Sequence, residues 1–136
     1  MMSVPRYKTS SSAAFSVKYH AVWCPKYRKS VLVSGVDVRL KEIIRQVADG
    51  LGAGVLSLEV MPDHVHLFIE SDPTRAPAEI VNRFKGTSAR LLRAEFPHLC
   101  RVLPCMWSRS YYIGTVGHVS DATVRKYIAM QKVRVK

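Results

Sequence analysis

Leu56-Ser-Leu-Glu-Val-Met-Pro-Asp-His-Val-His-Leu-Phe-Ile-Glu70 is the stretch that decides the fold. Leu56, Leu58 and Val60 alternate with Ser57 and Glu59, the period of a strand with one buried face. Pro62-Asp63 then reads as a tight turn, because proline presets its φ and aspartate hydrogen-bonds its own backbone. A further strand follows, with Val65, Leu67 and Ile69 on one side. His64, His66, Phe68 and Glu70 fall on the other. The stretch is therefore a hairpin whose second strand sends apolar residues into a core and two histidines away from it.

Working outward, Leu40, Ile43, Ile44, Val47 and Leu51 recur at helical spacing, and Gly50, Gly52 and Gly54 break that helix before the hairpin. Further upstream, residues 13–24 alternate: Phe15, Val17, Tyr19, Ala21 and Trp23 share one face and Ser16, Lys18 and His20 the other. Downstream, Pro77 suits the first position of a second long helix, with Glu79 in its first turn and Ile80, Val81, Phe84, Leu91 and Leu92 as its apolar stripe. Aromatic and β-branched residues gather in 107–116, which suits a fourth strand. Ser120 can cap a last helix, with Asp121 at its positive end.

The order is β-α-β-β-α-β plus a C-terminal helix. The fold class is α+β, a ferredoxin-like antiparallel sheet with both long helices on one face. Each helix has a single stripe to bury, so Val65, Leu67 and Ile69 must face them. His64 and His66 then lie on the open face. The 136 residues suit one domain, with residues 1–12 expected to be flexible.

Composition narrows the partners. Twenty-one Lys and Arg against ten Asp and Glu give a net charge of +11. No acidic residue precedes Asp37, and only Asp121 follows Glu95. Such an excess favours a polyanion through phosphate contacts and counterion release. No apolar run approaches the ~20 residues that span a membrane, and residues 1–12 lack the pattern of a secretory signal. Three cysteines without a CxxC pattern fit a reducing cytoplasm better than a disulfide framework.

His64 and His66, two apart on a strand, have α-carbons about 7 Å apart and point the same way. Two imidazoles so placed can chelate one ion, or they can be a pair of surface histidines. Tyr127 and Gln131 are four apart on the last helix and share a face with Val124 and Ile128. A tyrosine there is either a packed residue with a satisfied hydroxyl or a nucleophile that attacks phosphorus. Lys26 and Arg28, after the first strand, and Lys85, on the second helix, are the candidate DNA contacts. His20 could line the same face or be an ordinary hydrogen-bonded histidine. Tyr111 and Tyr112 are adjacent, so only one can face the site. His98, Cys100 and Cys105 are too irregularly spaced to point to zinc.

Met61-Pro-Asp-His-Val-His-Leu67, Tyr19-His-Ala-Val-Trp-Cys-Pro-Lys-Tyr-Arg28, Phe84-Lys-Gly-Thr-Ser-Ala-Arg90 and Arg125-Lys-Tyr-Ile-Ala-Met-Gln131 carry a resemblance. Together, in that arrangement along the chain, they resemble the signature blocks of the single-tyrosine HUH transposases, the insertion-sequence 200/605 group. The resemblance implies that His64 and His66 bind a divalent metal, Mg²⁺ or Mn²⁺, with Gln131 as third ligand and Tyr127 as nucleophile. It also implies a homodimer acting on single-stranded DNA with hairpins at the element ends, without a nucleotide cofactor.

Two alternatives stand beside it. A non-catalytic RNA-binding domain shares the strand order but stacks bases on sheet aromatics, where this chain has histidines. A single-tyrosine relaxase, or a domesticated relative that processes dispersed palindromic repeats, would use the same residues on different DNA. A nucleobase deaminase is excluded, since neither HxE nor PCxxC occurs.

Overall fold

The structure, a computed structural model, describes residues 8–9, 14–115 and 126–130. Two short strands, β1 (Lys8–Thr9) and β2 (Ala14–Phe15), pair with each other. β3 (Val17–Trp23) leads through a 3-10 turn at Lys26–Arg28 into α1 (Val36–Leu51). β4 (Gly54–Met61) and β5 (His64–Ser71) form the hairpin. α2 (Pro77–Glu95) and the short α3 (His98–Val102) precede β6 (Tyr112–Thr115). Residues 126–130 are helical. Apart from Lys8 and Thr9, residues 1–12 lie outside the described residues, as do 116–125, where the last helix was expected to begin.

The main sheet runs β4-β5-β3-β6 with every neighbouring pair antiparallel. This is the ferredoxin-like α+β order expected from the alternation. Val65, Leu67 and Ile69 are fully buried in one core with Leu40, Ile43 and Ile44 of α1 and Ile80, Val81, Phe84 and Leu92 of α2. Both long helices therefore cover one face of the sheet, and the even-numbered residues of β5 take the other.

Four details depart from the simple periodic reading. α1 runs through Gly50 and ends at Gly52, whose left-handed backbone (φ 70°) turns the chain so that the Ala53 N–H reaches the Ala48 carbonyl at 2.9 Å. A side chain there would strain that turn, whereas a glycine inside a helix costs only about 1 kcal/mol. β4 contains a bulge between Val55 and Ser57, so Leu56 has no partner and is exposed. Val55 packs inward in its place, with Leu58 and Val60. The first strand is interrupted at Ser16. The fourth is shorter than expected, because Trp107 only bridges Pro25 and residues 108–111 form no strand.

α2 begins at Pro77 with Glu79 in its first turn, which complements the helix dipole. Arg39 of α1 holds Glu95 at the other end of α2 with two hydrogen bonds, of 2.7 and 3.0 Å. Phe84 of α2 is buried against the sheet. It stacks on Trp23 at 6.2 Å between ring centroids, and Trp23 meets Trp107 edge-on at 6.0 Å. Phe84→Ala is expected to lower the unfolding free energy by about 3–5 kcal/mol, read from urea melts, since so closed a site cannot collapse around the void.

Candidate functional site

The site is built on the even-numbered face of β5. His64 and His66 are both half-buried, with ring centroids 4.9 Å apart. Strand pairing sets Glu59 of β4 and Val22 of β3 on either side of His66, and Tyr112 of β6 beyond Val22. One row across the sheet thus reads Glu59, His66, Val22, Tyr112. The next row places Ser57, Phe68, His20 and Gly114 together. Of the adjacent tyrosines, Tyr112 takes the histidine face. Tyr111 instead lies beneath the Lys85 ammonium, at 5.3 Å.

The two rings are oriented by neighbours. His64 Nδ1 lies 2.8 Å from Asp63 Oδ1, and His66 Nδ1 lies 3.2 Å from His20 Nε2. A carboxylate on Nδ1 of a histidine fixes the ring and makes Nε2 the more basic donor to a metal. Two neighbouring imidazoles on one face have the donor chemistry that a divalent ion takes. Among the described residues no group of three or more His, Cys, Asp or Glu side chains is gathered to hold a metal. Gln131, the expected third ligand, lies outside the described residues.

Asp63 uses its second oxygen on Arg28. Arg28 Nε sits 2.9 Å from Asp63 Oδ2, off-line for a hydrogen bond, so the contact is charge pairing. The same guanidinium donates from Nη1 to the Ile128 carbonyl at 3.2 Å. The turn that carries Arg28 is pinned on both sides. Lys26 N–H donates to the Met106 carbonyl, Ser108 N–H to Cys24, and Leu32 N–H to Pro62. Lys26 itself lies over the Tyr27 ring at 5.4 Å.

Tyr127 is half-buried, and its hydroxyl donates to the Ser110 carbonyl at 3.0 Å. That carbonyl belongs to a loop that Lys85 organises. Lys85 Nζ donates to the carbonyls of Ser108 at 2.7 Å, Arg109 at 3.4 Å and Ser110 at 3.5 Å. Burial holds the Lys85 ammonium below the usual lysine pKa. Nearby, burial first and the Asp63 charge second push the Cys24 thiol up to about 12, so it stays a neutral packed group.

The structure therefore brings His64 and Arg28 together around Asp63, sets His66 beside His64, and lets Arg28 reach the tyrosine segment. Lys85 touches the loop that holds the Tyr127 hydroxyl. Sequence reasoning missed Asp63 and Ser110. Asp63 was assigned only to a turn, although its position directly before the first histidine was a signal. Ser110 acts through its backbone, which leaves no trace in residue type. His98 meets Phe96 edge-on, Cys100 Sγ faces the Arg93 carbonyl, and Cys105 Sγ faces Trp107.

A ferredoxin-like sheet carries a histidine pair on its open face, and a tyrosine segment is tied beside it. Residues 13–131 match the family model described as Transposase IS200 like. The ISDra2 transposase TnpA of Deinococcus radiodurans is 40% identical over 126 residues, covering 91% of this chain and 90% of that protein. The insertion element IS200 transposase of Salmonella typhimurium is 28% identical, covering 91% and 82%. A crystal structure of a transposase candidate from Deinococcus radiodurans superposes with a TM-score of 0.84 at 36% identity, covering 91% of this chain and 97% of that one. A REP-associated tyrosine transposase bound to a REP hairpin shares the fold, with a TM-score of 0.56 at 16% identity over 98% and 74%. This chain belongs to the IS200-like transposase family. Among the described residues no helix is long and apolar enough to cross a membrane.

The Lys85 cradle makes a specific expectation. Lys85→Met leaves three carbonyls without their cation and is expected to cost about 1–3 kcal/mol in urea unfolding. The salt dependence of DNA binding should stay unchanged. Undiminished stability, with the slope of log K against log salt reduced by about one, would instead make Lys85 a phosphate contact.

Proposed function

We propose that this transposase cleaves and rejoins single-stranded DNA at insertion-sequence ends through a 5′-phosphotyrosine on Tyr127. The observation that carries this reading is the histidine pair: His64 and His66 share the open face of β5 with ring centroids 4.9 Å apart, and Asp63 Oδ1 lies 2.8 Å from His64 Nδ1.

The Tyr127 oxygen forms a bond to phosphorus as the bond from phosphorus to the leaving 3′-oxygen breaks. The phenol proton is lost to solvent, and the leaving strand ends as a 3′-hydroxyl. In the second half a 3′-hydroxyl attacks the phosphotyrosine, restores a phosphodiester and returns the phenol. Each bond broken is replaced by one of the same type, so no nucleotide cofactor is consumed. His64 and His66, with Gln131, would hold Mg²⁺ or Mn²⁺. When bound, such an ion withdraws charge from a non-bridging phosphate oxygen. Asp63 and His20 keep the two imidazoles turned toward that position.

The charge of +11 supports a polyanionic partner. The name of the REP-hairpin relative supports hairpin-bearing DNA as substrate. The greater identity to insertion-element transposases, 40% and 28% against 16%, favours element ends over dispersed repeats. We further propose that the protein works as a homodimer, with the histidines of one subunit serving the tyrosine helix of the other.

The test is incubation with single-stranded DNA carrying a terminal hairpin, with and without Mg²⁺ or Mn²⁺. A covalent protein–DNA adduct that needs the metal is expected. It should vanish in Tyr127→Phe, and in His64→Ala it should fall by about 10²-fold or more. An adduct that survives Tyr127→Phe would remove the nucleophile. Binding without cleavage under either metal would favour a non-catalytic nucleic-acid-binding domain.

A further inference from the structure

His64 and His66 are neighbours on one face, yet their Nδ1 atoms meet unlike partners. Asp63 Oδ1 lies 2.8 Å from His64 Nδ1, and His20 Nε2 lies 3.2 Å from His66 Nδ1. A carboxylate only accepts, so Asp63 by itself places a proton on His64 Nδ1. An imidazole accepts or donates, so the His20 contact permits two arrangements. We propose that His20 is the acceptor. Its ring carries its proton on Nδ1 and turns the Nε2 lone pair to His66, which then holds its own proton on Nδ1 and leaves Nε2 without one. His20 is thereby a positioning residue. The proposal rests on the metal site proposed above and adds to it the tautomer that two of its rings must hold.

Three observations carry it. The first is ring placement. His20 is paired with Phe68 across β3 and β5, one diagonal step from His66. Diagonal neighbours on one face of an antiparallel pair are within reach of long or aromatic side chains. The two imidazoles stack with centroids 5.4 Å apart and planes 26° apart. The second is the support of the His20 ring. Phe68 meets it edge-on at 6.5 Å, and on the β6 side the paired residue is Gly114, which has no side chain to compete for it. The third is the kind of partner. Glu59, opposite His66 on β4, is exposed, so the close partner of His66 Nδ1 is a ring rather than a carboxylate.

The chemistry selects between the two arrangements. With Nδ1 turned to His20, His66 can meet an ion only through Nε2. An imidazole nitrogen ligates a metal only when it carries no proton. If His20 donated, His66 would hold its proton on Nε2 and could not join His64 at one ion. Only His20 as acceptor leaves both rings of the pair in the same ligating form. Without that acceptor, His66 is free to keep its proton on Nε2, and metal binding has to displace it.

Long-range proton–nitrogen correlation spectra of the full-length, metal-free protein in mildly alkaline buffer show which nitrogen of each neutral ring carries the proton. In the wild type, His20, His64 and His66 are all expected to be protonated on Nδ1. His20→Phe keeps a ring to stack and removes the acceptor. His66 should then populate the Nε2-protonated form, with His64, held by Asp63, unchanged. Mn²⁺ affinity of the DNA-free protein should fall by about tenfold, as for loss of a group that orients a ligand. His20→Gln supplies an amide oxygen as acceptor and should recover that affinity to within roughly threefold of the wild type. A wild-type His66 protonated on Nε2 would overturn the proposal, and that measurement needs no variant to fold. So would unchanged Mn²⁺ affinity in His20→Phe. An equal loss in His20→Gln and His20→Phe would also overturn it, because ring shape rather than the acceptor would then matter. A wild type that binds no Mn²⁺ would defeat the proposed metal site alone, since the tautomer of His66 still decides the role of His20.

Discussion

β5 lies between β4 and β3, hydrogen-bonded along both edges, so its side chains have only two directions to take. Every other residue goes to the helices, and the rest go to the opposite face. The fully buried Val65, Leu67 and Ile69 hold this choice in place. Slipping the strand by one residue would drive two imidazoles into an apolar core and expose three aliphatic side chains. The position of His64 and His66 is thus enforced by the packing of their neighbours.

On the histidine side, one carboxylate organises several groups. Asp63 meets His64 with one oxygen and Arg28 with the other, and Arg28 continues to the Ile128 carbonyl. In a chain with twice as many cations as acids, a partly buried aspartate has a strong claim on the cations beside it. Two of the cations that suggested DNA contacts are engaged within the protein. Arg28 is bound to Asp63 and to the tyrosine segment, and Lys85 lies in a cradle of three carbonyls. A formal charge of +11 therefore overstates what these two positions offer a nucleic acid.

Much of the fold was legible because it depends on period. The alternation in residues 13–24 and 56–70, and the stripes of α1 and α2, each have one physical reading, and the sheet order follows from them. What escaped was local. A bulge at Leu56 shifts which residues of β4 face inward, and nothing in the type of a leucine announces that. β6 is cut short because Trp107 turns its indole N–H to the Lys85 carbonyl and to Ser88, and the carbonyls of Ser108, Arg109 and Ser110 face Lys85 instead of a strand. The site followed the same division. The face of the histidines came from alternation, and their metal role from the family resemblance. The Asp63 and Ser110 contacts depend on a turn and on a backbone carbonyl, which only the folded chain brings into place. Gln131 lies outside the described residues, and its role is still the one the resemblance implies.

The proposed chemistry requires His64 and His66 to present their Nε2 atoms to one ion. Pulsed electron paramagnetic resonance of the Mn²⁺-loaded protein counts the imidazole nitrogens bonded to the metal. Two are expected in the wild type and one in His64→Ala. A spectrum without directly bonded nitrogen, or one that His64→Ala leaves unchanged, would contradict that chemistry.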